Sequence, residues 1–297
     1  MSAPAVSVVV PTRDRPEYLR VTLASLAAQG GDVACEAIVV DDGSGGEETE
    51  RIARHHGARA LRHDAPRGPN AARNTGIDAA RAPLIALIDD DVRVPPGWAA
   101  ALVAGADRHR WADAVGGPIR ASLEGAAPRG CGRESAPITT LDLGGADREA
   151  DFVWSANMAV RRSAIERFGG FDEDVPIYGD EEEWLLRVRA GGGRVAYVAD
   201  AWLEHRRAGD DARLRSLARA EYRRGRAARR NDGRKGEQLS LARELRNLAG
   251  AGWHTARRRC PQGLIGTPPN CVPPPQVCPP GSVGTPPNCR PLVCPQG

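Results

Sequence analysis

Lysine is almost missing from this chain. Of its 41 basic residues only Lys235 is a lysine, and the rest are arginine. That bias is read as the mark of a GC-rich coding sequence rather than as selection for guanidinium chemistry. Long apolar runs are missing too. Nothing approaches the roughly 18 residues of a membrane-spanning helix, and "MSAPAVSVVVPTRDR" lacks the basic start and long apolar core of a signal peptide. Cysteine is scarce over the first 259 residues, where only Cys35 and Cys131 occur. A body so poor in cysteine is no disulfide scaffold and fits a reduced, cytoplasmic setting. Glycine is absent from "PTRDRPEYL", so no glycine-rich loop follows the first apolar run to hold a triphosphate.

What is present is an acidic body joined to a basic segment. Residues 1–205 carry a net charge of −9, residues 206–259 carry +11, and the remainder holds only Arg290. The 297 residues, 41% of them hydrophobic, suffice for one large α/β domain with appendages. The tail from 260 repeats itself: "CPQGLIGTPPNC" returns as "CPPGSVGTPPNC", and "CPQG" opens a third copy. Dense in Pro and Gly, it reads as a disordered low-complexity extension. Its five cysteines do not build the paired C-x₂₋₄-C knuckles of a zinc site.

Periodicity divides the first hundred residues into alternating strands and helices. "VSVVVP", "EAIVVDD", a short run near 58–62 and "LIALID" read as strands. Helices are expected around Leu19, Leu23 and Leu26, over 47–56 and over 70–82. This alternation predicts a mostly parallel sheet with helices on both faces. Ligands in such sheets bind beyond the carboxyl ends of the strands, where Pro11-Thr12-Arg13-Asp14, Asp41-Asp42 and Asp89-Asp90-Asp91 fall. From 110 to 205 the pattern loosens into long loops. Two helices over 211–231 and 237–258 are expected in the basic segment.

Three consecutive aspartates at a strand end repel one another. A hard cation such as Mg²⁺ or Mn²⁺, held by carboxylates and the oxygens of a substrate phosphate, removes that repulsion. A solvated acidic turn is the competing reading of the triplet alone.

Residues 6 to 205 resemble a family 2 glycosyltransferase of the GT-A fold. Five blocks in order carry the resemblance: "VSVVVPTRDRPEYLRVTLASLAAQ", "AIVVDDGSGGEET", "RGPNAARNTGIDAARAPLIALIDDDVRVPPGW", "SANMAVRRSAIERFGGFDE" and "YGDEEEWLLRVRAGGGRVAYVADAWLEH". The resemblance implies transfer of a sugar, with inversion, from a nucleotide-diphosphate sugar to a hydroxyl of a glycan or lipid-linked glycan. It places Pro11, Thr12 and Asp14 at the nucleoside, Asp41 or Asp42 at the base, and Arg73 and Asn74 near the diphosphate or ribose. Asp89 and Asp91 match the outer positions of the D-x-D, with Asp90 as an alternative direct ligand, and His205 completes the metal site. Glu181 takes the place of the general base, with Asp180 beside it and a register doubt that extends to Glu182. Glu182 and Glu183 read as a favourable helix start, with Glu183 pairing to Arg187. Trp154, Asn157 and Met158 would line the sugar and acceptor pocket.

Two other functions remain open at this point. One is a non-catalytic domain that binds nucleotide sugars, and the other is a sugar nucleotidyltransferase, which the missing glycine loop disfavours. The basic segment 206–259 is either a solvated helical pair or a surface drawn to an anionic membrane. It carries no aromatic or motif signature for nucleic acid.

Overall fold

A computed structural model describes residues 3–30, 33–124, 138–175 and 180–212. Beyond these it describes isolated helical positions (216, 219, 222 and 245) and short strands at 265–267, 270–272, 282–283 and 290–291. The chain divides into two compact units, residues 1–128 with 135–238, and residues 129–134 with 239–297.

In the first unit, β1 (Val6–Thr12), β2 (Cys35–Asp41), β3 (Arg59–Arg62) and β4 (Leu84–Ile88) run parallel, in the order β3-β2-β1-β4. β1 and β4 are continuous apolar runs because helices cover both faces of the sheet. The intervening helices are α1 (Pro16–Ala27), α2 (Glu48–His55) and α3 (Pro69–Ala79). α1 and α3 each begin with proline, whose fixed φ suits the first turn. α3 lies so close to β1 that a Cβ on Gly76 would stand 2.2 Å from Val9 Cγ1, so only glycine fits there.

The region expected to loosen into loops instead completes the sheet. After β5 (Val92–Arg93) and α4 (Trp98–Arg108) come β6 (Ala114–Gly116), β7 (Ile119–Leu123), β8 (Arg148–Ala150), β9 (Asn157–Arg161), α5 (Arg162–Phe168), α6 (Asp180–Ala190), β10 (Val195–Tyr197) and β11 (Leu203–Arg207). β9 runs antiparallel between β4 and β6, and β10 and β8 extend the sheet beyond them. Several of these strands have only three residues, too few to show a period of two.

A separate small sheet, β5-β11-β7, crosses the end of β4. Its register sets His205 opposite Val92. It also carries β11 to Arg207, followed by a tight turn at Gly209–Ala212.

Many arginines have structural work. Arg162 donates to Ala80 O at the end of α3, Arg161 to Ala106 O on α4, Arg187 to Phe168 O on α5 and Arg167 to Gly191 O beyond α6. Each meets carbonyls that a helix end leaves unpaired. The expected Glu183–Arg187 pair is present at 2.9 Å.

On β9, Asn157 and Met158, expected at the sugar and acceptor pocket, are both buried. Asn157 accepts from Trp98 Nε1 at 3.1 Å and donates to Pro118 O and Ala201 O at 3.1 and 2.7 Å, tying α4 to two loops. Met158 packs in the core with Leu87 and Phe171.

In the second unit the described residues form two hairpins, β12 (Ile265–Thr267) with β13 (Asn270–Val272), and β14 (Ser282–Val283) with β15 (Arg290–Pro291). The pairing Ile265↔Val272 recurs in the second sequence repeat as Val283↔Arg290, so both copies adopt one register. Composition had suggested disorder for this tail. The helices expected over 211–231 and 237–258, apart from the isolated positions above, lie outside the described residues.

Asn157→Ala would strand the buried Trp98 Nε1 donor and the Ala201 carbonyl, while Pro118 O keeps its bond from Leu203 N. A loss of about 3 kcal/mol or more in urea unfolding is expected; a loss under about 1 kcal/mol contradicts the role given to this side chain.

Candidate active site

β4 delivers its three aspartates to the junction between the two sheets, and each meets a different fate. Asp90 is buried, accepting from Thr12 Oγ1 at 2.6 Å and from Arg15 Nη1 at 2.7 Å. Asp91 is buried, and its Oδ2 accepts from Arg15 Nη2 at 2.7 Å and Arg207 Nη1 at 3.1 Å. Asp89 stays a third exposed.

β11 supplies the fourth member. The backbone N–H of Arg206 donates to Asp91 O at 2.8 Å, which locks the strand against the aspartates. His205 Nδ1 lies 3.2 Å from Thr139 O, leaving Nε2 to face Asp91 Oδ1 at 2.9 Å and Asp89 Oδ2 at 3.9 Å. A carbonyl on one ring nitrogen with the other presented inward is the usual setting of a metal-binding imidazole.

These groups fit a divalent cation. One ligand atom each from Asp89, Asp91 and His205 falls within 4.8 Å of the others. Asp91 Oδ1 is a buried oxygen with no hydrogen bond apart from its 2.9 Å ion-pair contact with the imidazole. Such atoms are rare without a cause, and the oxygen and nitrogen donor set suits Mn²⁺ or Mg²⁺.

Charge follows this layout. Burial alone would raise the Asp91 carboxyl, but His205, Arg15 and Arg207 hold it far below the usual carboxylate range. Burial pushes Asp90 up to about 7, with Arg15 opposing. His205 is opposed by burial too, yet Asp91 and Asp89 raise it above its ordinary 6.5.

At the ends of β1 and β2 the expected donor residues do gather. Asp14, the one described non-glycine residue with positive φ (53°), accepts from Gly45 N at 2.9 Å, while its own N–H donates to Ser44 Oγ. Pro11 is half-buried beside Thr12 on β1. Asp42 is fully engaged, accepting from His63 Nδ1, Arg67 N and Gly68 N at 2.8 to 2.9 Å. It braces the loop into α3. Asp41 Oδ1 accepts from Ser44 N, while its buried Oδ2 has no hydrogen-bond partner and lies 3.8 Å from Arg62 Nη1.

The other side of the site is built by α3, the segment before β9, and α6. Arg73 is buried, donating to Asn70 Oδ1 at 2.8 Å and to Ser155 Oγ at 3.0 Å. Ser155 in turn donates to Glu181 Oε1 at 3.3 Å, and Glu181 is buried at the start of α6. Arg73 also bears electrostatically on Asp89, so it links the aspartates to Glu181. Asn74 is drawn elsewhere: its amide donates to Phe171 O and Glu173 Oε1 and accepts from Phe171 N, which pins the turn after α5. Trp154 is half-buried beside Ser155, edge-on to Phe152 at 4.5 Å. Asp180 opens α6, and its side chain lies outside the described residues.

Sequence reasoning passed over Arg15, Ser155 and Arg207. Arg207 had a signal, since it follows His205 by two on a strand and shares its face. Ser155 and Arg15 sat inside quoted blocks but carried no periodicity or charge pattern of their own.

Residues 7–169, just over half of the chain, match the family described as "Glycosyl transferase family 2". The chain belongs to glycosyl transferase family 2. A pre-mycofactocin glycosyltransferase of Mycobacterium tuberculosis is 33% identical over 210 residues, covering 67% of this chain and 42% of that protein. Thus the family 2 chain spans well under half the length of that relative. Among solved structures, S. aureus TarS 1-349 in complex with UDP-GlcNAc is similar with a TM-score of 0.54 at 20% identity, covering 70% of this chain and 60% of that one. GalNAc-T7 with UDP, GalNAc and Mn²⁺ gives 0.56 at 17% identity, covering 74% and 48%. At this identity the likeness shows the fold, which is GT-A.

The raised His205 pKa has consequences of opposite sign. Protonated His205 beside Asp91 stabilises the metal-free fold below about pH 6.5, and that contribution is lost as pH rises through the folded-state value. Mn²⁺ needs the neutral imidazole, so its affinity climbs over the same range. Titrations of the full chain should show both trends, and His205→Asn should remove both. Mn²⁺ affinity independent of pH from 6 to 8 contradicts His205 as a ligand.

Proposed function

We infer that this protein transfers a sugar from a nucleotide-diphosphate sugar to an acceptor hydroxyl with inversion at the anomeric carbon. The observation that carries this reading is the Asp89, Asp91 and His205 cluster, with Asp91 Oδ1 turned to the imidazole, at the carboxyl ends of parallel strands in a family 2 chain. TarS and GalNAc-T7, similar in fold, are solved with UDP-GlcNAc, and with UDP, GalNAc and Mn²⁺, respectively. The donor nucleotide is therefore proposed to be bound as its uridine diphosphate sugar.

Each residue then has a task. Asp41, with Pro11, Thr12 and Asp14 nearby, borders the nucleoside. Asp89, Asp91 and His205 hold a divalent cation, Mn²⁺ or Mg²⁺, which when bound stabilises negative charge on the diphosphate leaving group. Glu181 accepts the proton of the acceptor hydroxyl as the new bond to the anomeric carbon forms. Ser155 and Arg73 orient its carboxylate. Asp180 lies next to the base, and Trp154 offers an aromatic face to the acceptor sugar. The acceptor is a glycan or lipid-linked glycan, and the positive charge of residues 206–259 favours an anionic membrane surface. No helix among the described residues is long and apolar enough to cross a membrane.

Screening nucleotide-diphosphate sugars by thermal shift with and without Mn²⁺ should find a donor that stabilises only with metal. With that donor, Glu181→Gln should lower kcat by about 10²–10⁴-fold while leaving donor affinity near wild type. Asp91→Ala should abolish both the metal-dependent shift and turnover. A donor that binds with metal but is neither transferred nor hydrolysed by the wild-type chain would establish a binding domain instead of an enzyme.

A further inference from the structure

Three aspartates in a row do not by themselves say which of them hold a cation. Arg15 is placed to decide it. It stands just before α1, one residue ahead of Pro16, and its guanidinium forks between two neighbouring carboxylates. Nη1 donates to Asp90 Oδ1 and Nη2 to Asp91 Oδ2, both at 2.7 Å. The Tyr18 ring lies against it, with its centroid 4.3 Å from Cζ. Thr12 takes the other Asp90 oxygen. Both Asp90 oxygens are thus held in hydrogen bonds, although Asp90 sits between the two residues read as ligands. In Asp91 one oxygen, Oδ1, is the atom facing His205.

We propose that Arg15 is a positioning residue for the metal site: its fork withdraws Asp90 and turns Asp91 so that a single oxygen joins Asp89 and His205. This rests on the reading of those three residues as cation ligands. The sign of the effect separates positioning from plain electrostatics. A guanidinium bonded to a ligand carboxylate repels a dication, so an Arg15 that contributed only charge would weaken binding, and its loss would tighten it. A positioning Arg15 has the opposite effect. Without the fork, Asp90 competes and Asp91 is free to rotate, so affinity falls. Arg207 offers no substitute, since it reaches Asp91 with one nitrogen at 3.1 Å.

Mn²⁺ binding to the full chain, read by electron paramagnetic resonance or calorimetry without donor or turnover, tests this. Arg15→Gln should weaken Mn²⁺ about 10–100-fold, as expected for a residue that orients a metal ligand. Arg15→Lys keeps the charge but cannot fork, so it should weaken binding as well; it carries the test if the glutamine variant fails to fold. Asp90→Asn can still accept from Arg15 and pair with Thr12, and should bind Mn²⁺ within about threefold of wild type. Unchanged or tighter binding in the Arg15 variants, or loss of binding in Asp90→Asn, overturns the proposal. Asp91→Asn is the reference. If it leaves Mn²⁺ binding intact, the metal site itself is wrong, a result distinct from a failure of Arg15 alone.

Discussion

Like charge at the end of β4 is the constraint around which the site is arranged. Asp89, Asp90 and Asp91 sit where the polypeptide leaves a fully buried strand, and two of the three are themselves buried. Buried carboxylates without partners are costly, so cations must converge from elsewhere. Arg15 comes from the start of α1, and His205 and Arg207 come from β11. The small sheet matters for this reason. Pairing β11 to β5 fixes His205 one residue from the third aspartate, a contact between residues 114 positions apart in sequence.

The same economy shapes the far side. The parallel strands β1, β2 and β4 furnish the proposed nucleotide end, in keeping with α/β sheets that bind beyond their carboxyl edge. The antiparallel β9 interrupts that pattern, and the segment leading into it places Ser155 beneath Glu181. Arg73 spans the two halves from α3, touching Ser155 and bearing on Asp89. Arg73 therefore couples the candidate metal ligands to the candidate base, by charge on one side and by hydrogen bonds on the other.

The first hundred residues were legible in sequence because β1, β2 and β4 are apolar runs separated by helices, two of which begin with proline. The second half was not. Three-residue strands such as β6 and β10 show no period, and β9 owes its burial to neighbours that sequence does not name. The resemblance points to Asp42, Asn74 and Asn157 as ligand contacts, and each also makes hydrogen bonds within the fold: Asp42 to the loop into α3, Asn74 to the turn at Phe171, Asn157 to Trp98. Asp89, Asp91 and His205, named from the motif and its place in order, have ligand atoms within 4.8 Å of one another. The difference lies in the partners. A side chain's chemistry is written in the sequence, but whether that chemistry is already consumed depends on contacts between distant residues.

The central claim is that Asp89, Asp91 and His205, and not Asp90, surround a divalent cation. Anomalous diffraction from crystals of the full chain soaked with Mn²⁺ and a nucleoside diphosphate tests it most directly. The account predicts one strong Mn²⁺ peak in contact with Asp89, Asp91 Oδ1 and His205 Nε2, with Asp90 still bound to Arg15 and Thr12. A peak coordinated by Asp90, or none between the aspartates and His205, would contradict it.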